Sequence, residues 1–228
     1  MRLILCIPGN NFSGVFLDSL LNFYNWCNTN KITVLLSRRE SCNIYYVRNM
    51  CLGGNSTSGE DQKPFQGKIH YDYMLWIDSD IVFSIDDFIR LLNLQKDIAS
   101  ALYLMHNGQQ YATVKDWNEE HFNKTGSFEF LTPQHLVNKN DPFKVDYTGF
   151  GFILIKKGVF EKLKYPWFRP LWKKFGNVTE FTMEDVSFCH LVKEQNIMFG
   201  YIQKLLLNTK RKYCYELPSF YTGYTEGT

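Results

Sequence analysis

Four short apolar runs separated by helical patterns constrain this fold more than any other feature of the chain. They are RLILCI (2–7), KITVLL (31–36), YMLWI (73–77) and DIASALYL (97–104). Each is close to continuously apolar, as in strands buried on both faces, rather than alternating. Ser13 is placed to cap a helix whose apolar stripe comprises Val15, Phe16, Leu20, Phe23, Tyr24 and Cys27. Ser41 opens a second helical stretch, SCNIYYVRNMCL, which stops at Gly53-Gly54. Ser84 and Asp87 have capping-box spacing for a helix over 85–95. The β-α-β-α-β-α-β order predicts an α/β domain with a mostly parallel central sheet and helices on both faces.

The second half reads differently. Residues 109–145 are polar, aromatic and irregular, which suggests hairpins or an edge insertion. VDYTGFGFILI predicts a long strand over roughly 143–155, followed by a helix near 157–164 that ends before Pro166. YPWFRPLWKKFG reads as an aromatic, basic loop. Thr182 is placed to cap the helix TMEDVSFCHLVKEQ, and 197–202 reads as a last strand. The expected organisation is one domain in two halves, 1–104 and 105–215, with 216–228 as a tail or linker.

Composition excludes several classes. The 228 residues carry a net charge of +2 with no basic block, which argues against nucleic acid as a partner. No apolar run approaches the length of a membrane span, and the five-residue run before Pro8 and Gly9 is too short for a signal-peptide core. The expectation is a soluble, cytoplasmic protein. None of the six cysteines forms a CxxC pair, so buried free thiols are expected rather than zinc. The sequons at Asn11, Asn55, Asn123 and Asn177 are then chance matches in an Asn-rich chain.

The stretch MLWIDSDIVF holds the clearest chemical signal. It reads as a buried strand, yet Asp78 and Asp80 sit inside it, and aspartate is both disfavoured in strands and costly to bury unpaired. In a parallel α/β sheet, ligands collect outside the carboxyl ends of the strands. In an extended chain, residues two apart face one side, so both carboxylates would converge. Oxygen ligands of this kind suit Mg²⁺ or Mn²⁺, ions that keep open positions for substrate phosphates. The bland alternative is that one aspartate ends the strand and the other closes a turn.

In this setting the stretch resembles the DxD motif of GT-A-fold nucleotide-sugar glycosyltransferases, and other segments follow in the family's order over roughly 2–202. IPGN after the first strand resembles the nucleoside-receiving loop. YYVRNMCL, with Arg48 and Asn49, resembles the helix ahead of the DxD strand. DYTGFGFILIKKGVFEKL resembles the strand lining the donor-sugar and acceptor pocket, and TMEDVSFC resembles the xED segment that carries the catalytic base of inverting members. The style of the chain also resembles glycosyltransferases that chlorella-type large DNA viruses use on their own capsid protein, which would place it in a host cytoplasm. The resemblance implies a Rossmann-like GT-A fold with a smaller mixed acceptor-side part. It also implies a metal-dependent, inverting transfer of a sugar, glucose or rhamnose, from a UDP-sugar to a hydroxyl of a glycan or glycoprotein.

By the same resemblance, Asp80 binds the ion, and Asp78 contacts the ribose or reaches the ion through water, with Ser79 between them. Asp185 is the implied general base, with Glu184 and Asp146 as alternatives; Asp185 also has the spacing of a mere capping residue behind Thr182. Pro8, Gly9 and Asn10 would turn beside the nucleotide, Arg38 (with Arg39) would hold phosphate, and Arg48 would reach base or phosphates or else be an exposed helix residue. Gly149 and Gly151 inside a strand suggest close backbone approach, which fits a donor sugar. Tyr165, Trp167, Phe168 and Trp172 would form a stacking wall for the acceptor or fill the core. One departure stands out: no histidine follows His190, so a third protein ligand for the metal is missing. Competing readings are a sugar nucleotidyltransferase, for which IPGNNFSG is a poor phosphate loop, a non-catalytic glycan-binding module, and, least, a metal nuclease.

Overall fold

A computed structural model describes residues 1–138 and 141–197 and the backbone of 201–209. The elements, in chain order, are β1 (Arg2–Pro8), α1 (Gly14–Thr29), β2 (Thr33–Arg39), α2 (Ile44–Cys51), β3 (Tyr73–Ile77), β4 (Ile81–Val82), α3 (Ile85–Asn93) and β5 (Ile98–Tyr103). There follow β6 (Thr113–Val114), α4 (Glu119–Thr125), β7 (Phe143–Lys144), β8 (Tyr147–Thr148), β9 (Phe152–Lys156), β10 (Trp172–Phe175), β11 (Val178–Phe181), α5 (Glu184–Glu194) and β12 (Tyr201–Thr209). The main sheet runs in the order β2-β1-β3-β9-β5-β12-β4, with β7 also on β12. Strands β2, β1, β3, β5 and β12 point one way, while β9 runs antiparallel between β3 and β5. The α/β architecture expected from the first 104 residues is therefore present, as a mixed sheet with one inverted strand at its centre.

Alternation along the strands builds two cores. Leu3, Leu5, Ile7, Leu75 and Ile77 meet Phe16, Phe23, Phe88 and Leu91 of α1 and α3 on one face. Ile4, Cys6, Met74 and Trp76 meet Phe160, Phe168 and Phe188 on the other. Covering both faces is why these strands read as solid apolar runs. Among the described residues no helix is long and apolar enough to cross a membrane.

Local chemistry explains where the elements depart from expectation. The second helix is capped by Asn43, whose side chain accepts from the Tyr46 amide, and Ser41 instead accepts from Asn43 in the turn before it. The strand expected over 143–155 is broken into β7, β8 and β9, because the two glycines lie where Tyr103 packs against the backbone. The expected helix at 157–164 is a single 3-10 turn, Phe160–Lys162. The basic loop contains a hairpin, β10 and β11, turned at Gly176 with φ 57°. A short helix, α4, lies unannounced in the insertion, capped by Asn118 and ended by left-handed Gly126. The last strand runs over Tyr201–Thr209, later than expected, and the tail at 216–228 lies outside the described residues. Cys6, Cys27, Cys51 and Cys189 are buried free thiols and Cys42 is exposed, while Cys214 lies outside the described residues.

Candidate active site

Strand β3 ends at Ile77, and the chain turns at once. The Asp78 amide donates to the Gly151 carbonyl, and the Ile81 amide donates back to the Asp78 carbonyl at 3.0 Å. Asp78 and Asp80 thus sit on a turn, not on an extended strand, and the parity argument for their common direction does not hold. What makes Asp78 stable here is Arg48. Its Nη1 and Nη2 donate to the two Asp78 carboxylate oxygens at 2.8 and 3.3 Å, and its Nε and Nη2 both reach Glu184 Oε1 at 3.4 Å. The guanidinium, only 3% exposed, lies over the Phe150 and Trp76 rings at 5.1 and 5.6 Å. Burial alone would lower its pKa, but Asp78 and Glu184 outweigh that and hold it firmly charged. Arg48 is therefore not an exposed helix residue but a buried one, with its guanidinium engaged by Asp78 and Glu184.

Glu184 and Asp185 open α5. Its N-cap is Met183, not Thr182, and no side chain caps it. Thr182 is occupied elsewhere: its hydroxyl accepts from the Leu171 amide and its carbonyl accepts from the Tyr45 hydroxyl. Asp185 accordingly makes no capping box. One of its oxygens accepts from the Tyr147 hydroxyl at 2.7 Å and the other from the Val186 amide at 2.8 Å. Burial pushes its pKa up, opposed by those two hydrogen bonds. Glu184 is pushed up to about 7 by burial and by the neighbouring Asp185, with Arg48 opposing. Asp78 and Glu184 thus share one guanidinium and Asp185 lies beside them, an excess of carboxylate that a cation would relieve.

The sign of the Glu184 shift makes a prediction about stability. A carboxyl whose folded pKa lies above its unfolded value favours the folded state while protonated. That contribution is present below about pH 4.5 and is lost as pH rises through about 7. Urea denaturation should show a loss on the order of 2 kcal/mol between pH 5 and pH 8 from this group. Glu184→Gln should flatten that slope; an unchanged slope would remove Glu184 as its source.

The remaining residues divide clearly. Gly9, with φ 123°, brings the loop after β1 onto the aspartate turn: a Cβ there would come within 3.2 Å of the Ser79 hydroxyl. Arg38 donates to the Gly9 carbonyl at 2.8 Å and the Gly9 amide donates to the Arg39 carbonyl, so Pro8, Gly9 and Arg38 form one corner beside Ser79, with Asn10 exposed at its edge. Gly149 and Gly151 do mark a close approach, but its occupant is Tyr103. A Cβ on Gly149 would overlap the Tyr103 hydroxyl, and one on Gly151 would lie 2.6 Å from its ring. Tyr103 is the residue that sequence reasoning missed; its hydroxyl accepts from the Gly151 amide, and burial, with Asp78 and Asp185 nearby, raises its pKa. The two glycines were the only trace of it. Asp146 stands apart: burial would raise its pKa, but Lys193 at 2.6 Å and the Trp117 amide at 2.6 Å outweigh that and lower it. Trp167 and Phe168 are core, while Trp172 is 74% exposed, so no aromatic wall is assembled there.

The donor set can be tested against a divalent ion. It consists of carboxylate oxygens, the ligands Mg²⁺ and Mn²⁺ prefer. Among the described residues no group of three His, Cys, Asp or Glu side chains is placed to hold an ion alone.

No protein family matches the sequence, and no curated protein matches it. Solved structures do. The crystal structure of A197 from STIV matches with a TM-score of 0.53 and 19% identity, over 90% of this chain and 82% of that one. The catalytic domain of Drosophila beta1,4-galactosyltransferase 7 with xylobiose gives a TM-score of 0.46 and 8% identity, over 90% of this chain and 66% of that one. A mutant of the same enzyme with manganese, UDP-Gal and xylobiose gives 0.45 and 8%. The likeness to A197 is one of fold.

Proposed function

We propose that this chain is a metal-dependent glycosyltransferase that moves a sugar, glucose or rhamnose, from a UDP-sugar to a hydroxyl of a glycan or glycoprotein, with inversion. The observation that carries this reading is the meeting of the aspartate turn after β3 and the Glu184–Asp185 start of α5 at a single buried arginine, with the Gly9 corner against Ser79 of the same turn.

In this reading Asp80, aided by Asp78, holds the ion, which when bound offsets charge on the departing diphosphate. The Pro8–Asn10 corner and Arg38 receive the nucleotide beside Ser79. Gly149 and Gly151 keep the floor of the site thin, so that Tyr103 packs directly beneath it. Asp185 takes the proton from the acceptor hydroxyl at one carboxylate oxygen. Burial raises its basicity, and the Tyr147 hydroxyl fixes its orientation. Glu184, tied to Arg48, keeps charge near it without being free to act.

Calorimetric titration of UDP tests this, with Mn²⁺ or with EDTA, for the wild type and Asp80→Ala. Binding that weakens at least about tenfold in EDTA and again in the variant is the expected result. UDP binding indifferent to both would make the aspartate turn a purely structural one.

A further inference from the structure

A cavity of about 340 Å³ opens beside the start of α5, within the size range of ligand sites. Its walls include Phe122, Phe128 and Phe175, with Val186 and His190 one helical turn apart on α5. Phe181 and Met183, 49% and 54% exposed, stand at its rim. The wall is shared with the site: Phe128 stacks on Tyr147 at 5.6 Å and 15°, and Tyr147 donates to Asp185. The whole aromatic cluster comes from the insertion and the hairpin, since Trp117 packs on Phe122, Phe128 and Phe175.

We propose that this cavity receives an apolar, aryl-sized group attached to the acceptor sugar, and so selects acceptors by what lies next to the reacting hydroxyl. This rests on the assignment of Asp185 as base. The chemistry of the walls argues for it. A sugar ring brings several hydroxyls, each costly to desolvate unpaired. Here the Thr182 hydroxyl is engaged with the Leu171 amide and the Ser127 hydroxyl with the Phe128 carbonyl. Glu180 already accepts from the Phe181 amide. Burial, with Lys173 and Lys193 nearby, lowers the pKa of His190 and keeps its ring neutral. The polar capacity left, the rest of the Glu180 carboxylate and the His190 ring, is too small to pair the hydroxyls of a sugar ring, and the rest of the wall is aromatic and aliphatic, which suits a hydrocarbon group.

The test compares p-nitrophenyl β-glucoside, methyl β-glucoside and p-nitrophenol by calorimetry, without nucleotide, for the wild type, His190→Trp and Met183→Trp. His190→Trp fills the cavity; Met183→Trp, at an exposed position, narrows its mouth without touching the core. The aryl glucoside should bind the wild type at least tenfold more tightly than the methyl glucoside. Either variant should remove that preference while its thermal melt and UDP binding stay as in the wild type. Equal binding of the two glucosides, or an aryl preference untouched by both variants, would overturn the assignment. UDP binding, measured on the same samples, reports separately on the transferase reading: its loss in the wild type condemns that reading whatever the glucosides do.

Discussion

Replacing Arg48 with alanine will cost about 3–5 kcal/mol of folding stability, the range found when one partner of a buried ion pair is removed. The guanidinium is only 3% exposed and meets two carboxylates and two aromatic rings. Without it, Glu184 stays buried and loses its cation, and Asp78 loses its paired contact. The deficit should shrink at pH 5, where Glu184, already pushed up to about 7, is protonated, and widen at pH 8; urea denaturation at both values checks it. Arg48→Lys should recover only part, since an ammonium cannot make the paired contact to Asp78. An arginine that served only a nucleotide would leave stability within about 0.5 kcal/mol of the wild type, the scale of ordinary surface substitutions.

Replacing Asp185 with asparagine will lower sugar transfer by about 10²–10⁴-fold, the usual contribution of a positioned general base. Asparagine keeps the shape: its oxygen can still accept from the Val186 amide while its NH2 donates to the Tyr147 hydroxyl oxygen, so UDP affinity and the melting temperature should barely move. Glu184→Gln should cost far less turnover, because Glu184 is turned toward Arg48. The reverse order of effects would transfer the role of base to Glu184. A wild-type rate that falls with acid at a higher pH than an ordinary aspartate would give belongs to the same picture, since burial raises the pKa of Asp185 and the base acts only when ionised.

How legible this was depends on the distance over which each residue makes its contacts. β1, α1, β2, β3, α3 and β5 were readable because their signals are local: solid apolar runs, Ser13, and the Ser84–Asp87 box, which forms as expected. The break in the 143–155 strand was not, because the partner that demands it, Tyr103, lies some forty residues upstream. The burial of Arg48 was hidden for the same reason, since Glu184 is 136 residues away. Thr182 looked like a cap and is bonded to Leu171 across a hairpin that Gly176-Asn177, a two-residue turn signal, could have announced. The aromatics of YPWFRP were legible as either a stacking wall or core, and Trp167 and Phe168 are core. Of those that line a cavity, Phe122 and Phe128 sat in a segment whose polarity disguised them, and Phe175 in the basic loop.

The inverted β9 has a consequence for the order in which this protein can be made. Among the described residues β5 pairs with β9 and β12, so residues 98–103 leave the ribosome long before either neighbour exists. β1, β2 and β3 can assemble as they emerge, but IASALY must wait with both edges unpaired, and an apolar strand in that state is prone to join its counterpart in another nascent chain. The strands of the first 104 residues are therefore joined into one sheet only through β9. The sheet closes only when synthesis has passed β9, and the aspartate turn, whose Asp78 amide is held by the Gly151 carbonyl, takes its shape at that same late moment.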